Sequence, residues 1–117
     1  MGMMIKVIAR FIDKSTGKPL GGNDLTAKLY DKDIFDDDFL GEAKLNDKGK
    51  AEIFADLDDA SSADTPLEGY PDLYFVLQNQ TGVIYRSKVF HNVDFLRDTN
   101  VSQQHFSATH DLGTLEV

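Results

Sequence analysis

A dense run of aspartates between two apolar segments constrains the fold of this chain more than any other feature. Five of the eight residues at positions 31–38 are aspartates: Asp31, Asp33, Asp36, Asp37 and Asp38. Carboxylates this close together repel one another, and burying them in a packed element would be very costly. The run therefore predicts a loop in which the carboxylates are either fully solvated or arranged around a cation.

Short alternating segments on both sides of this run predict an all-β fold. In the first of them, Ile5, Val7, Ala9 and Phe11 fall on one face of the strand. No comparable stretch has the period of a long helix. The predicted strands number about seven, and they cover residues 4–13, 25–31, 39–45, 51–55, 72–79, 83–89 and 111–117.

Turn-forming residues separate these segments. The residues at 46–49 predict that the third and fourth strands form a hairpin, and those at 80–82 predict the same for the fifth and sixth. Residues 90–110 have little periodicity and receive no predicted element. We therefore expect one domain over residues 1–117, an antiparallel Greek-key β-sandwich of about seven strands.

The composition excludes several classes of function. The 117 residues carry a formal net charge of −8, which disfavours nucleic acid as a partner because phosphate binding needs clustered Lys and Arg. An anionic membrane would also repel the chain unless a cation such as calcium bridged the two. The lack of cysteine excludes disulfides, thiolate catalysis and Cys-based zinc sites. No apolar run is long enough to predict a transmembrane segment and no signal peptide is predicted, so the compartment stays undetermined.

Several turn-plus-strand segments resemble the transthyretin-like, or prealbumin-like, sandwiches, which include the carboxypeptidase regulatory-like modules. The segment Ile12-Asp-Lys-Ser-Thr-Gly-Lys-Pro-Leu-Gly-Gly is similar to the turn after their first strand. The segment Asp111-Leu-Gly-Thr-Leu-Glu-Val resembles their closing strand. The resemblance implies a seven-stranded sandwich that recognises a protein or an anionic partner through loops at one end or through a strand edge. It also implies that two copies can form a homodimer by edge pairing.

A second resemblance concerns the aspartate run alone. The segment Tyr30-Asp-Lys-Asp-Ile-Phe-Asp-Asp-Asp-Phe-Leu-Gly-Glu is similar to a calcium-binding loop of C2 domains, where D-x-D and a later Asp precede D-F-[IL]-G. C2 domains are also antiparallel sandwiches, and this resemblance implies calcium-dependent binding to anionic lipids. They carry the loop late in the chain, whereas here it follows only two strands. The order of segments therefore fits the transthyretin-like topology better.

Calcium is the cation that the run fits best, because calcium prefers six to eight oxygen ligands in a flexible shell. Asp31 and Asp33 have i, i+2 spacing, so at a strand end they lie on one side. The following loop can bring Asp37 or Asp38 back toward them. The sequence therefore predicts a calcium site formed by Asp31, Asp33, Asp36, Asp37 and Asp38. The alternative is a solvated acidic turn that keeps the protein soluble and protects the strand edges.

Two neighbouring features are relevant to the choice between a calcium site and a solvated turn. Counting strands places Asp56 at the end of the sandwich that holds Asp31, so the acidic cluster at 56–59 is predicted to lie near the site. Phe35 and Phe39 flank the aspartates. We interpret Phe35 as a loop-tip residue, either packed under the loop or exposed to a membrane or partner pocket, and we expect Phe39 in the core.

Enzymatic interpretations compete with a binding role. Intradiol dioxygenases contain a transthyretin-like sandwich and bind iron through two Tyr and two His. The segment similar to their P-x-H-I-H-F strand has Asp72 and Tyr74 at the two His positions, which argues against iron. Hydroxyisourate hydrolases share the fold and end in Y-R-G-S, which Tyr85 and Arg86 match only in part. The alternative for this pair is a strand with Tyr85 facing inward and Arg86 facing outward.

The three histidines are the last candidates for a metal site. His91, His105 and His110 lack the i, i+2 or i, i+4 spacing of a paired metal site, so solvated histidines are the alternative to a transition-metal site. No catalytic residue is predicted. We expect a non-catalytic binding or interaction module that binds calcium through its acidic loop.

Overall fold

Seven strands make up the secondary structure of the residues that the structure describes. The structure is a computed structural model, and it describes residues 4–21, 24–32, 36–56, 72–91 and 108–117. The described residues contain no helix with the length and apolarity needed to cross a membrane. The strands are β1 (Met4–Ile12), β2 (Thr26–Asp31), β3 (Asp38–Lys44), β4 (Lys50–Asp56), β5 (Leu73–Asn79), β6 (Gly82–Arg86) and β7 (Ala108–Glu116).

The strands form two sheets, which confirms the predicted all-β sandwich. One sheet has three strands in the order β4-β1-β7, and the other has four in the order β3-β2-β5-β6. All pairs are antiparallel except one, since β1 and β7 run parallel. A parallel pair needs a long connection between its strands, and the long span from β1 to β7 supplies it. The sandwich is therefore antiparallel, as predicted, except at this one pair.

The predicted hairpin between β3 and β4 is wrong, whereas the one between β5 and β6 is confirmed. The two strands of the first pair belong to different sheets. The connecting turn at 46–49 carries the chain from one sheet to the other, and the main chain of Gly49 accepts a hydrogen bond from Phe11 N–H at 2.8 Å. Alternation and turn residues look the same in the sequence whether a turn joins paired strands or crosses between sheets.

The core lies between the sheets and is built from alternating residues, as the pattern predicted. The four residues of β1 expected on one face are fully buried, and so are the alternate residues Leu73, Phe75 and Leu77 of β5. Phe75 contacts Phe11 edge-to-face, with ring centroids 5.7 Å apart. The core consists of Ile5, Val7, Ala9, Phe11, Ala27, Leu29, Leu40, Leu45, Ala51, Ile53, Ala55, Leu73, Phe75, Leu77 and Leu115.

A bulge between β2 and β3 overturns the expected position of Phe39. Leu29 pairs with Gly41 and Tyr30 pairs with Phe39, so Leu40 is an extra residue in β3. The irregularity places Leu40 in the core and leaves Phe39 52% exposed on the outer face. Residue type alone favoured burial of Phe39, because an aromatic beside a strand is usually core.

Candidate functional site

Three strands begin or end at an aspartate at one end of the sandwich, and an aspartate precedes a fourth strand there. β2 ends at Asp31 and β3 begins at Asp38 beside it. β4 leaves the opposite end at residues 46–49 and runs back to Asp56, and Asp72 immediately precedes β5. The predicted return of Asp56 to this end is therefore confirmed by the strand order. We call this region the acidic end.

Asp31 and Asp38 are directly opposite each other in the ladder between β2 and β3. Side chains at such positions share one face of a sheet, with Cβ atoms about 4.5–5.5 Å apart. Asp31 continues the inward-facing series of Ala27 and Leu29 and is only 8% exposed, whereas Asp38 is exposed. The register therefore places a buried carboxylate beside a solvated one at the rim of the core.

Asp37 is held on the other side of the sheet. Its Oδ2 accepts a hydrogen bond of 2.5 Å from the Tyr74 hydroxyl. Tyr74 stacks on Tyr30 with centroids 5.4 Å apart, and Tyr30 contacts Phe39 edge-to-face at 5.6 Å. These rings line the outer face of the four-stranded sheet, where they fix Tyr74 and, through it, the loop just before β3.

Burial and this hydrogen bond change the acidity of the tyrosine. Burial, with the Asp37 carboxylate as the second cause, raises the pKa of Tyr74 to about 12. A carboxylate close to the hydroxyl disfavours the tyrosinate, since both groups would then be negative. Tyr74 is therefore a hydrogen-bond donor throughout the physiological pH range. The sequence analysis considered Tyr74 only in the comparison with the dioxygenases, so its hydrogen bond to Asp37 was not predicted.

The predicted calcium ligands divide into separate positions. Asp31 and Asp38 lie at the inner rim, Asp37 is bonded to Tyr74 on the outer face, and Asp36 is exposed in the loop. Asp33 lies outside the described residues. Within the described ranges, no three His, Asp or Glu side chains group closely enough to hold a metal ion. The described residues thus contribute a pair of carboxylates, and a complete ligand shell needs donors from elsewhere.

The histidines do not form a metal site in the described part of the chain. His91 is exposed and lies with its Nδ1 3.5 Å from Asp72 Oδ2 at the acidic end. His110 is buried in β7, where its register partner is the core residue Val7. His105 lies outside the described residues.

The positions that suggested an enzyme have structural roles. Tyr85 faces inward, and its ring lies 6.5 Å from that of Phe11, while Arg86 is exposed. Burial raises the pKa of Tyr85. Tyr74, at one of the two positions that hold His in the dioxygenase strand, donates a hydrogen bond to Asp37. The alternating-strand interpretation of Tyr85 and Arg86 is therefore confirmed.

The fold has a counterpart among solved proteins. No family model matches the sequence, and no curated protein matches it. The crystal structure of a 9R-lipoxygenase from Cyanothece PCC8801 is similar, with a TM-score of 0.58 and 23% sequence identity. The similarity covers 98% of this chain and 16% of the lipoxygenase, so the chain spans about a sixth of that protein's length. At this identity the likeness concerns the fold alone, and the transthyretin-like and C2-like resemblances stay predictions.

Proposed function

We propose that this chain is a non-catalytic binding module that holds a calcium ion at its acidic end. The observation that carries the proposal is the direct opposition of Asp31 and Asp38 across the β2–β3 ladder. Like charges at such positions repel each other across a sheet. A bound cation would offset this repulsion, so the opposed pair supports a cation site.

Calcium suits these donors better than a transition metal does. The carboxylates supply only hard oxygen ligands, and calcium tolerates irregular shells of six to eight oxygens. We assign Asp31 and Asp38 as primary ligands and Asp33 and Asp36 as additional carboxylates from the loop. Main-chain carbonyls and water complete the shell. Asp37 has a different role, because its Oδ2 accepts the Tyr74 hydrogen bond and so ties the loop to the sheet.

Calcium-dependent binding to anionic lipid is the second candidate. The observation that favours it is the exposed ring of Phe39, which directly follows Asp38 in the chain. Calcium at the acidic end would neutralise the local charge and bridge to lipid phosphates, and Phe39 would enter the interface. The occurrence of the same fold within a lipoxygenase is consistent with a module that accompanies a larger unit.

Calorimetric titration of calcium into chelator-stripped protein tests the first proposal. We expect micromolar to millimolar binding in the wild type and loss of binding in the double variant Asp31→Asn with Asp38→Asn. The control is Asp47→Asn, since Asp47 is an exposed aspartate in the turn at the opposite end. Absence of heat and of thermal stabilisation at millimolar calcium would reduce the acidic run to a solvated turn.

Sedimentation with vesicles separates the two candidates. Vesicles of phosphatidylserine and phosphatidylcholine are compared with phosphatidylcholine alone, each with calcium and with chelator. A calcium-binding protein that ignores both kinds of vesicle is a protein-interaction module. Calcium-stimulated binding to the anionic vesicles that weakens in Phe39→Ala supports the lipid-binding candidate.

A further inference from the structure

A hydrogen-bonded asparagine lies at the turn between β5 and β6. The chain here reads Asn79-Gln80-Thr81-Gly82, and its first three residues match N-x-[ST], the acceptor sequence for N-linked glycosylation. Matches of three residues arise often by chance, so the sequence alone does not establish a site. The geometry of the asparagine side chain supplies the further evidence.

Three donors hold the side-chain oxygen of Asn79. Its Oδ1 accepts hydrogen bonds from Thr81 N–H at 2.8 Å, from the Thr81 hydroxyl at 2.7 Å and from Gly82 N–H at 3.1 Å. Two of these donors are main-chain N–H groups, which do not accept hydrogen bonds, so the atom that they contact has to be the amide oxygen. The remaining polar atom of the side chain is therefore the nitrogen, Nδ2.

The nitrogen of Asn79 is accessible. No residue in the described part of the chain bonds Nδ2, and this atom is not shut away from solvent. The next two residues, Gln80 and Thr81, are both exposed. Gln80 Nε2 donates a hydrogen bond of 2.6 Å to Asp24 Oδ2, which holds the middle residue of the motif in place. The turn thus presents a free amide nitrogen at a fixed position on the surface.

The hydroxyl of Thr81 is not needed to form this turn. The two main-chain bonds to Oδ1 close the turn, and any residue except proline at position 81 supplies the first of them. The hydroxyl adds a chemical effect. An amide nitrogen is a weak nucleophile because its lone pair is delocalised into the carbonyl group. Donors fixed on Oδ1 stabilise the negative charge that develops on this oxygen when Nδ2 loses a proton.

We propose that Asn79 is an acceptor for N-linked sugar, which a glycosyltransferase attaches to Nδ2. The co-substrate is a sugar with phosphate at its anomeric carbon, carried by a lipid or by a nucleotide. A base of the transferase takes one proton from Nδ2, and the electron pair of the nitrogen forms the bond to the anomeric carbon. The bond from that carbon to the phosphate oxygen breaks, and its electron pair leaves with the phosphate. The site is independent of the calcium site proposed above.

A sugar at this turn leaves the acidic end free. β5 runs from Leu73, beside the acidic end, to Asn79 at the other end of the sheet. Six steps of about 3.3 Å separate these two residues, so the sugar is attached about 20 Å from the acidic end. Val83 and Ile84, which are 60% and 45% exposed, directly follow the turn on the outer strand β6. A bulky polar group beside them would shield this apolar edge from association with other strands.

Mass spectrometry of the full chain, purified from the cells that naturally produce it, tests the proposal. We expect a sugar on the peptide that contains Asn79. A single hexose indicates a nucleotide-activated donor, and a preassembled oligosaccharide indicates a lipid-linked one. The motif also occurs at 100–102, outside the described residues, so the modified peptide has to be identified. An unmodified Asn79, with or without sugar at 100–102, would overturn the proposal.

Matched variants made in the same cells separate modification from the structural role of the turn. Asn79→Asp keeps an Oδ1 for the same three donors but lacks Nδ2, so it should melt close to the wild type and carry no sugar at this position. Thr81→Ala removes only the hydroxyl and should slow sugar transfer roughly ten- to a hundredfold, the contribution of a hydrogen bond to a group that becomes charged. Thr81→Ser keeps the hydroxyl and should restore the modification. Equal rates of transfer in Thr81→Ala and the wild type would refute the proposal.

Discussion

Replacing Asp38 by asparagine should change stability in opposite directions with and without calcium. In chelator, the change removes one of two carboxylates that oppose each other across β2 and β3. At about 5 Å and an effective dielectric constant of about 20 the repulsion is about 3 kcal/mol, and it falls to about 0.8 kcal/mol in water. Because Asp38 is exposed and Asp31 is buried, we expect a value near 1 kcal/mol, at the upper end of measured cross-strand effects. Asp38→Asn should therefore be more stable than the wild type by about 1 kcal/mol.

Calcium should reverse this order. At a calcium concentration one hundred times Kd, binding to the folded state alone stabilises the wild type by about 2.7 kcal/mol. Asp38→Asn loses most of that gain, so it should become less stable than the wild type by about 1–2 kcal/mol. Urea unfolding followed by circular dichroism, in chelator and in calcium, measures both differences.

The control is Asp47→Asn, which removes the same charge from the exposed turn at the opposite end. It should change stability by less than about 0.5 kcal/mol, with the same sign under both conditions. Destabilisation by Asp38→Asn in chelator would refute the argument from repulsion. An unchanged difference on adding calcium would refute the cation site.

Three further predictions concern stability. Because the pKa of Tyr74 is raised to about 12, the unfolded state loses this proton first as pH rises above 10. The wild type should therefore lose up to about 2 kcal/mol between pH 10 and 12 that Tyr74→Phe does not lose, as measured by urea unfolding across that range. Gly49→Ala should cost more than Gly17→Ala in thermal melts. Both glycines have positive φ, but a Cβ at Gly49 would also collide with the carbonyl oxygen of Phe11, whereas nothing lies near Gly17. Phe75→Ala should lose about 3–5 kcal/mol by chemical denaturation, whereas Phe54→Ala, at an exposed site, should change stability by less than about 0.5 kcal/mol.

Residue alternation was sufficient to predict the strands and most of the core. Every second residue of a strand faces the same side, and the apolar residues of β1 follow this period. The buried residues Ile5, Val7 and Phe11 could therefore be predicted from the sequence. Which strands pair with each other was harder to predict from the sequence. The turn at 46–49 has the residues of a hairpin but joins two sheets, since the partner of β4 is β1 and not β3. Pairing between strands far apart in the chain cannot be recognised from the residues of the turn itself.

The sequence was sufficient to predict which acidic residues form the candidate site. It was not sufficient to predict how these residues are arranged in space. The acidic run is visible in the sequence, but a bulge at Leu40 determines which residues of β3 face inward. That single extra residue leaves Phe39 on the surface and sets Asp38 opposite Asp31. The hydrogen bond from Tyr74 to Asp37 joins residues 37 positions apart. Side chains this distant in sequence come together only through strand order, which the sequence pattern alone does not determine.

Pairing of the first strand with the last has a consequence for synthesis. β1 is the middle strand of its sheet, and its register partners include Ala55 in β4 and Ala108 in β7. During translation, β1 leaves the ribosome before β7 does, so one of its edges stays open until the roughly one hundred residues up to β7 have been made. Contacts so distant in sequence also slow folding, because a long loop must close before they can form. The nascent chain is therefore exposed to edge-to-edge association between the synthesis of β1 and that of β7, and binding by a chaperone in that interval would favour its correct assembly.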